Sequence, residues 1–308
     1  LLARLAAGTG PDGLAGMPKV RLLGNTEGGG VRLLRPLLYT PEKDLAATLT
    51  SFKQPWISDP SNVDRRYARA RLGSARKILE REGMSASRMS ITAARAARDR
   101  AAAHIQVSNF LADNALLSRS GFITLYGAPW SSVSDSILVR AFFRIVYCIS
   151  GNLKPPSLIR LEKLLISLKH ECYVNRTLGG CRFVWEKKYN KLLILRESGR
   201  IKDIVNISPG ENLTWDGRFT VGLGKNYVNS GKFKRLSKDD LSFLRSSMKN
   251  TPELEAIEAI PALVRPSLPV FHGLDGSKKI PHLNNNKRIG LWISFNPSFP
   301  LCEGEFQY

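Results

Sequence analysis

Cysteine is scarce and scattered in this chain: Cys148, Cys172, Cys181 and Cys302 lie far apart, with no Cys-x-x-Cys pair. Four thiols in 308 residues are too few for a disulfide framework, and their spacing is not that of a zinc site. His170-Glu171-Cys172 near Cys181 lacks a second ligand pair, so no metal is expected there. Long apolar runs are missing as well. Nothing approaches the roughly 20 residues that span a bilayer, and the opening Leu1–Ala7 is too short for a signal segment with its cleavage site. A soluble protein of the reduced cytoplasm is expected, with no membrane partner. The four histidines (His104, His170, His272, His282) have no Ser or Cys partner in a nucleophile motif. Acidic residues are the largest deficit. There are 26 against 46 Lys and Arg, a formal net charge of +20 and a pI near 10.1. The basic residues are spread over many segments rather than forming one cationic helix face opposite an apolar one, which favours nucleic acid over a lipid surface. A plain solubility charge is the competing explanation.

What is present suffices for a globular core, since 43% of residues are hydrophobic. The chain opens without Met on Leu1, Leu2 and Leu5, which share a helical face and read as the tail of a longer helix, so an N-terminal truncation is expected. Gly8-Thr9-Gly10-Pro11 ends that helix, and a glycine-rich loop runs through Gly13 and Gly16. Val31–Leu38 reads as a short buried strand. Thr40-Pro41-Glu42 reads as a hydroxyl-capped helix start, with Leu45, Leu49 and Phe52 as the apolar face. Helical periodicity covers 64–83, an Ala/Arg-rich stretch from 87 to about 117, and two apolar segments at 134–150 and 157–169. Strand-like runs follow at 177–185, 191–196, 219–223, 270–272 and 289–295, with short helices at 238–249 and 252–259.

One stretch carries the most chemistry. In Asp59-Pro60-Ser61-Asn62-Val63-Asp64-Arg65-Arg66-Tyr67-Ala68-Arg69-Ala70-Arg71, Asp59 and Asn62 can cap a helix that presents a row of arginines, and guanidinium forks match phosphate oxygens. From spacing alone, a capped helix with a solvated basic face is at least as good a reading. The pattern Asp-Pro-Ser-Asn-x-Asp-x-x-Tyr-x-Arg-x-Arg is similar to the motif of the tRNA(Ile)-lysidine synthases. Gly8-Thr9-Gly10-x-x-Gly13-Leu14-Ala15-Gly16-Met17 and Leu34-Arg35-Pro36-Leu37-Leu38 resemble two further segments of that family, in the same order. The likeness is sharp over residues 1–72. It continues more weakly at Arg176–Arg182, Trp215–Phe219 and Ile260–Leu263, which resemble C-terminal parts of alphaproteobacterial-type members.

The resemblance implies an α/β remnant of a PP-loop (adenine nucleotide alpha hydrolase-like) domain over 1–72, a helical domain over 73–170, and a small α+β C-terminal tRNA-binding domain over 171–308. It implies ligation of free L-lysine to the wobble cytidine of isoleucine tRNA with a CAU anticodon, using ATP with Mg2+. Gly8, Gly10, Gly13 and Gly16 would then lie at the nucleotide. Arg35, Asp59, Asn62, Arg65, Arg69 and Arg71 would hold tRNA or phosphate. No catalytic residue is named, and a homodimer is left open. The family's Ser-Gly-Gly-x-Asp-Ser loop and His-His-x-x-Asp helix do not occur in these residues, and Gly73 stands where a further arginine is expected. The chain alone is therefore expected to be inactive. A non-catalytic tRNA-binding remnant, or another PP-loop tRNA-modifying enzyme, are the other readings.

Further along, Lys187, Lys188, Lys225, Lys232, Lys234 and Arg235 interleave with Trp185, Tyr189, Tyr227 and Phe233. This composition suits tRNA contact by charge and stacking, and equally an ordinary sheet edge guarded by lysines.

Overall fold

The computed structural model describes residues 2–6, 8, 10–23, 31–57, 59, 64, 66, 68–74, 76–151, 156–170, 174–249, 251–280 and 290–301. They fall into two compact units, one made mainly of residues 1–23 and 30–105, the other mainly of 106–304.

The first unit begins with α1 (Leu2–Ala6), closed where Gly8, at φ +65°, donates its amide to the Leu5 carbonyl. A single turn, α2 (Pro11–Leu14), follows with Gly10 at its N-cap and Pro11 at the first position, where proline's missing N–H costs nothing. Strands β1 (Val20–Leu22) and β2 (Arg32–Leu34) pair antiparallel. Helices α3 (Glu42–Ser51), α4 (Ala68–Ser74) and α5 (Arg76–Arg81) precede the long α6 (Ala86–Asn114). Two sequence expectations change here. The 31–38 strand exists but all of β2 is exposed, because a two-stranded ribbon with no layer on it buries neither face. Helix α3 has Pro41 rather than Thr40 at its N-cap and no side-chain cap, and it buries no residue. Phe52 is 77% exposed. Ala15 is the one buried hydrophobic residue among those described in this unit.

The second unit is built differently. The end of α6 buries Val107, Phe110 and Leu111, and the chain then enters β3 (Ala115–Ser118) and β4 (Phe122–Tyr126). Sequence patterning missed both strands: it ran the helix on to residue 117, because Leu116 and Leu117 fit either period. Helices α7 (Asp135–Ser150) and α8 (Leu158–His170) come next, then β5 (Asn175–Leu178), β6 (Cys181–Glu186) and β7 (Lys191–Arg196). These strands form a five-stranded antiparallel sheet of order β3-β4-β7-β6-β5. The apolar face of α7 lies on β4, β6 and β7, and α8 packs beside α7 and β5.

The rest of the chain adds β8 (Val205–Ile207), β9 (Asn212–Trp215), β10 (Phe219–Leu223) and β11 (Gly231–Arg235), then α9 (Lys238–Ser247) and α10 (Pro252–Ala259). It ends with β12 (Pro269–Gly273), β13 (Lys278–Lys279) and β14 (Leu291–Phe295). These strands form a three-stranded sheet, β14-β10-β9, and a four-stranded one, β13-β12-β11-β8. Trp215, Phe219, Val221, Phe233, Phe271 and Ile293 form one aromatic-rich core shared by these two sheets. A second core joins Val184, Leu193 and Leu195 of the five-stranded sheet to Leu236, Leu244, Ile257 and Val270.

Candidate functional site

In the first unit the glycine-rich segment is a tight turn, not an open loop. The amides of Gly13 and Gly16 donate to the carbonyls of Gly10 and Gly13, and Gly16 turns left-handed at φ +69°. A Cβ built on Gly8, Gly10 or Gly16 meets nothing within 4 Å, so the outer surface of the turn is bare backbone. Arg100 of α6 fixes the turn, its Nη1 donating to the carbonyls of Asp12 and Gly16, each at 3.2 Å. Sequence reasoning passed over this arginine, since one Arg in an Ala/Arg-rich helix carries no local mark of its long-range partner.

Beside the turn lies a cleft of about 1360 Å³. Its floor is the small-residue face of α6 (Ala93, Ala94, Ala97, Ala101), and Gly16, Met17, Lys19, Tyr39 and Arg98 line it too. The Lys19 ammonium sits 5.8 Å from the centre of the Tyr39 ring. An apolar floor with cationic groups at its walls is suited to a ligand with one flat and one anionic part.

Of the arginine motif only some members lie among the described residues. Arg35 Nη1 donates to the Pro18 carbonyl at 3.0 Å, and its amide to that of Lys19, so this residue braces the β1–β2 ribbon. Asp59 is exposed. Asn62 and Arg65 lie outside the described residues, and Arg69 is known only as part of α4. Arg71 is exposed and donates to the Arg66 carbonyl at 2.7 Å. Asp64 accepts from the Arg66 side chain and amide, which hold its carboxyl below the usual range. Glu171 and Cys172 of the weighed metal cluster are also outside the described residues.

In the second unit two of the three weakly resembling motifs meet at one buried charge cluster. Asp216 accepts a bidentate pair from Arg196 (Nε and Nη2, 3.0 and 2.8 Å) and a third bond from Arg218 Nε at 2.7 Å. Arg196 Nη1 also donates to the Gly180 carbonyl and Arg218 Nη2 to that of Ser267. Arg218 is fully buried, and burial pulls its pKa down against the opposing pull of Asp216. Gly151 and Gly217, both left-handed, pass so closely that a Cβ on either would strike the other's side of the contact. Ile260 offers its carbonyl to Arg265 Nε, and the turn that follows ends at Ser267. Gly180, Asp216 and Arg218 lie in the interior, whereas Arg176, Thr177, Ala262 and Leu263 are exposed.

The lysine–aromatic composition also divides. Phe233 is buried and Trp185 packs edge-on against the buried Trp130, so neither is a stacking platform. Tyr189 stays exposed between Lys188 and Lys191, whose ammonium groups lie 5.2 and 4.9 Å from its ring centre.

Among the described residues no helix is long and apolar enough to cross a membrane. Residues 1–81 match the PP-loop domain family. The tRNA(Ile)-lysidine synthase of Methylobacterium nodulans is 36% identical over 169 residues, 54% of this chain and 48% of the relative. That of Ruegeria pomeroyi is 31% identical over 222 residues (72% and 50%), and that of Caulobacter vibrioides 28% over 261 residues (81% and 52%). The chain thus spans about half the length of these relatives. With residues 1–81 matching a PP-loop domain and synthases of alphaproteobacteria aligned over 54 to 81% of its length, the chain is similar to the tRNA(Ile)-lysidine synthases.

Proposed function

We propose that the chain serves lysidine formation in the cytoplasm: the wobble cytidine of isoleucine tRNA with a CAU anticodon is adenylated, and the amine of free L-lysine then displaces AMP. The observation that carries the reading is the alignment of named synthases over 54 to 81% of this chain. The net charge of +20 supports a tRNA partner.

ATP with Mg2+ supplies the adenylate with release of pyrophosphate, and AMP is the leaving group of the second step. The residues of this chain contribute position and charge. In the turn of Gly8, Gly10, Gly13 and Gly16, the bare backbone at Gly8, Gly10 and Gly16 lets the main chain approach the nucleotide closely, although Gly13 is buried and the amides of Gly8, Gly13 and Gly16 are engaged locally. Arg65, Arg69 and Arg71, with Asp59 and Asn62 shaping the turn before them, hold tRNA or phosphate. Arg35, which braces the β1–β2 ribbon, adds a further cation toward tRNA or phosphate.

Since the Ser-Gly-Gly-x-Asp-Ser loop is not among these 308 residues, residues 1–308 alone are expected to bind the tRNA without modifying it. The test is incorporation of labelled lysine into CAU-anticodon isoleucine tRNA with ATP, first with this chain and then with the N-terminal half of a relative added. Incorporation only after addition supports the reading. Tight binding with no incorporation either way leaves a tRNA-binding remnant, and no binding sinks both. Sedimentation of the complex decides whether one or two copies hold the tRNA.

A further inference from the structure

The register of the four-stranded sheet sets Lys232 of β11 opposite His272 of β12, and His272 opposite Lys278 of β13. Residues opposite each other in neighbouring strands project to the same face, so these three form one cross-strand row about 10 Å long. Lys234, two residues along β11, shares the face. Like charges so close repel unless something holds them, and here that is Asp240 of α9. Its carboxylate is 2% exposed, 2.9 Å from Lys278 Nζ, 3.8 Å from Lys234 Nζ and 3.2 Å from His272 Nε2. Ser237 Oγ and the Ser237 amide also donate to it in a capping box, so the N-terminus of α9 is already satisfied.

Two lysines and a histidine therefore meet one buried carboxylate, and the exposed Lys232 extends the same row. Lys278 Nζ also lies 4.8 Å from the ring centre of Phe243, which is 43% exposed. An exposed aromatic ring beside a pre-positioned ammonium group is the pairing that takes a base by stacking and its phosphate by charge.

We propose that the part of the β11, β12 and β13 face that lies beside α9 holds an unpaired RNA nucleotide, its phosphate among Lys232, Lys234 and Lys278 and its base against the exposed part of Phe243. An acidic protein segment would satisfy the lysines but leave the ring without a flat partner, so RNA is favoured. His272 modulates the grip. It faces Asp240 from α9, Lys232 and Lys234 from β11 and Lys278 from β13; burial, with Lys234 and Lys278, lowers its pKa from the ordinary 6.5 against the opposing pull of Asp240. Acidification adds a positive charge to the row. The inference relies on the tRNA reading only for the choice of probe.

The experiment uses the full chain and a fluorescent isoleucine tRNA transcript, with binding followed by anisotropy across salt and pH. A Lys232→Gln/Lys278→Gln variant is expected to bind at least tenfold more weakly, with a salt dependence shallower by about two phosphate contacts. Phe243→Leu is expected to lose more affinity for a single-stranded oligonucleotide than for a duplex. The strengthening of binding between pH 7.5 and 5.5 is expected to shrink in His272→Asn. Unchanged affinity and salt slope in the double lysine variant, with a native circular dichroism spectrum, overturns the proposal. Polyglutamate binding as tightly as RNA and losing affinity in the same variant overturns it too, in favour of an acidic protein partner. Lysine incorporation that fails after complementation, while RNA binding still depends on Lys232 and Lys278, sinks the ligase reading and leaves this one standing.

Discussion

At Asp216 a single carboxylate answers two arginines, and every donor that Arg196 and Arg218 direct at it is buried. Removing one partner of such a cluster strands the others in low dielectric, at about 3–5 kcal/mol. Asp216→Ala is therefore expected to lower stability by that amount in urea titration, whereas Glu197→Ala, which breaks the more exposed pair with Arg200, is expected to cost less than 1 kcal/mol. Equal losses would contradict a buried keystone. Cys181 lies next to the same cluster. Burial pushes its thiol up to about 12, even though Arg196 and Arg218 pull the other way. A thiolate reagent with mass-spectrometric mapping is expected to leave Cys181 unmodified at pH 8 in the folded chain and to label it once the chain is unfolded.

Glycines at the joins between elements carry the sharpest local contrast. Gly151 closes α7 at φ +62° against the Asp216 carbonyl, so Gly151→Ala meets both strain and a clash. The expected cost is more than 2 kcal/mol by thermal melting. At Gly10, where φ is −74° and nothing lies within 4 Å, the alanine variant is expected to change stability by less than 1 kcal/mol. Helix α9 gives a pH-dependent case. Burial opposes the charge on Asp240, yet Ser237, Lys278 and His272 together hold its carboxyl down to about 2, against an ordinary 3.8. A depressed acid contributes stability that is complete above its unfolded value and is lost as pH falls through the folded one. The window is therefore pH 4 to 2, and the amount is about 2 kcal/mol. Asp240→Asn is expected to flatten that limb of the stability curve. An acid limb identical to wild type would remove Asp240 from it.

The helices α7, α8, α9 and α10 and strands β7, β10 and β12 were legible in sequence because period, caps and glycine stops agreed there. Strands β3 and β4 were not. Short apolar runs following a long helix fit either period, and what makes Leu125 a strand residue is its pairing with Leu192, far along the chain. Of the candidate site, the composition was legible and the arrangement was not. Charge and motif pointed to tRNA, but the separation of the lysines into a row around Asp240, and of Phe233 into the core, depends on sheet register that no local pattern encodes.

For the whole molecule, the two units differ in how much apolar surface they bury. Residues 106–304 enclose two aromatic and aliphatic cores, while among the described residues of the first unit only Ala15 is a buried hydrophobic, and Leu34, Trp56 and Ile57 are 60, 55 and 95% exposed. Burial is the main favourable term in folding, at roughly 25 cal/mol per Å², so a segment that buries little opens at little cost. Hydrogen exchange of the chain alone is expected to show amides of β1, β2, α3 and α4 exchanging within seconds to minutes, and those of β4, β6 and β7 protected to near the global stability. In the complementation mixture, where a relative's N-terminal half is supplied, the same first-unit amides are expected to gain protection while the sheet amides stay unchanged. First-unit amides as slow as those of β7 in the isolated chain would show that its few buried contacts are enough, and that exposed apolar side chains are a poor guide to local stability in this protein.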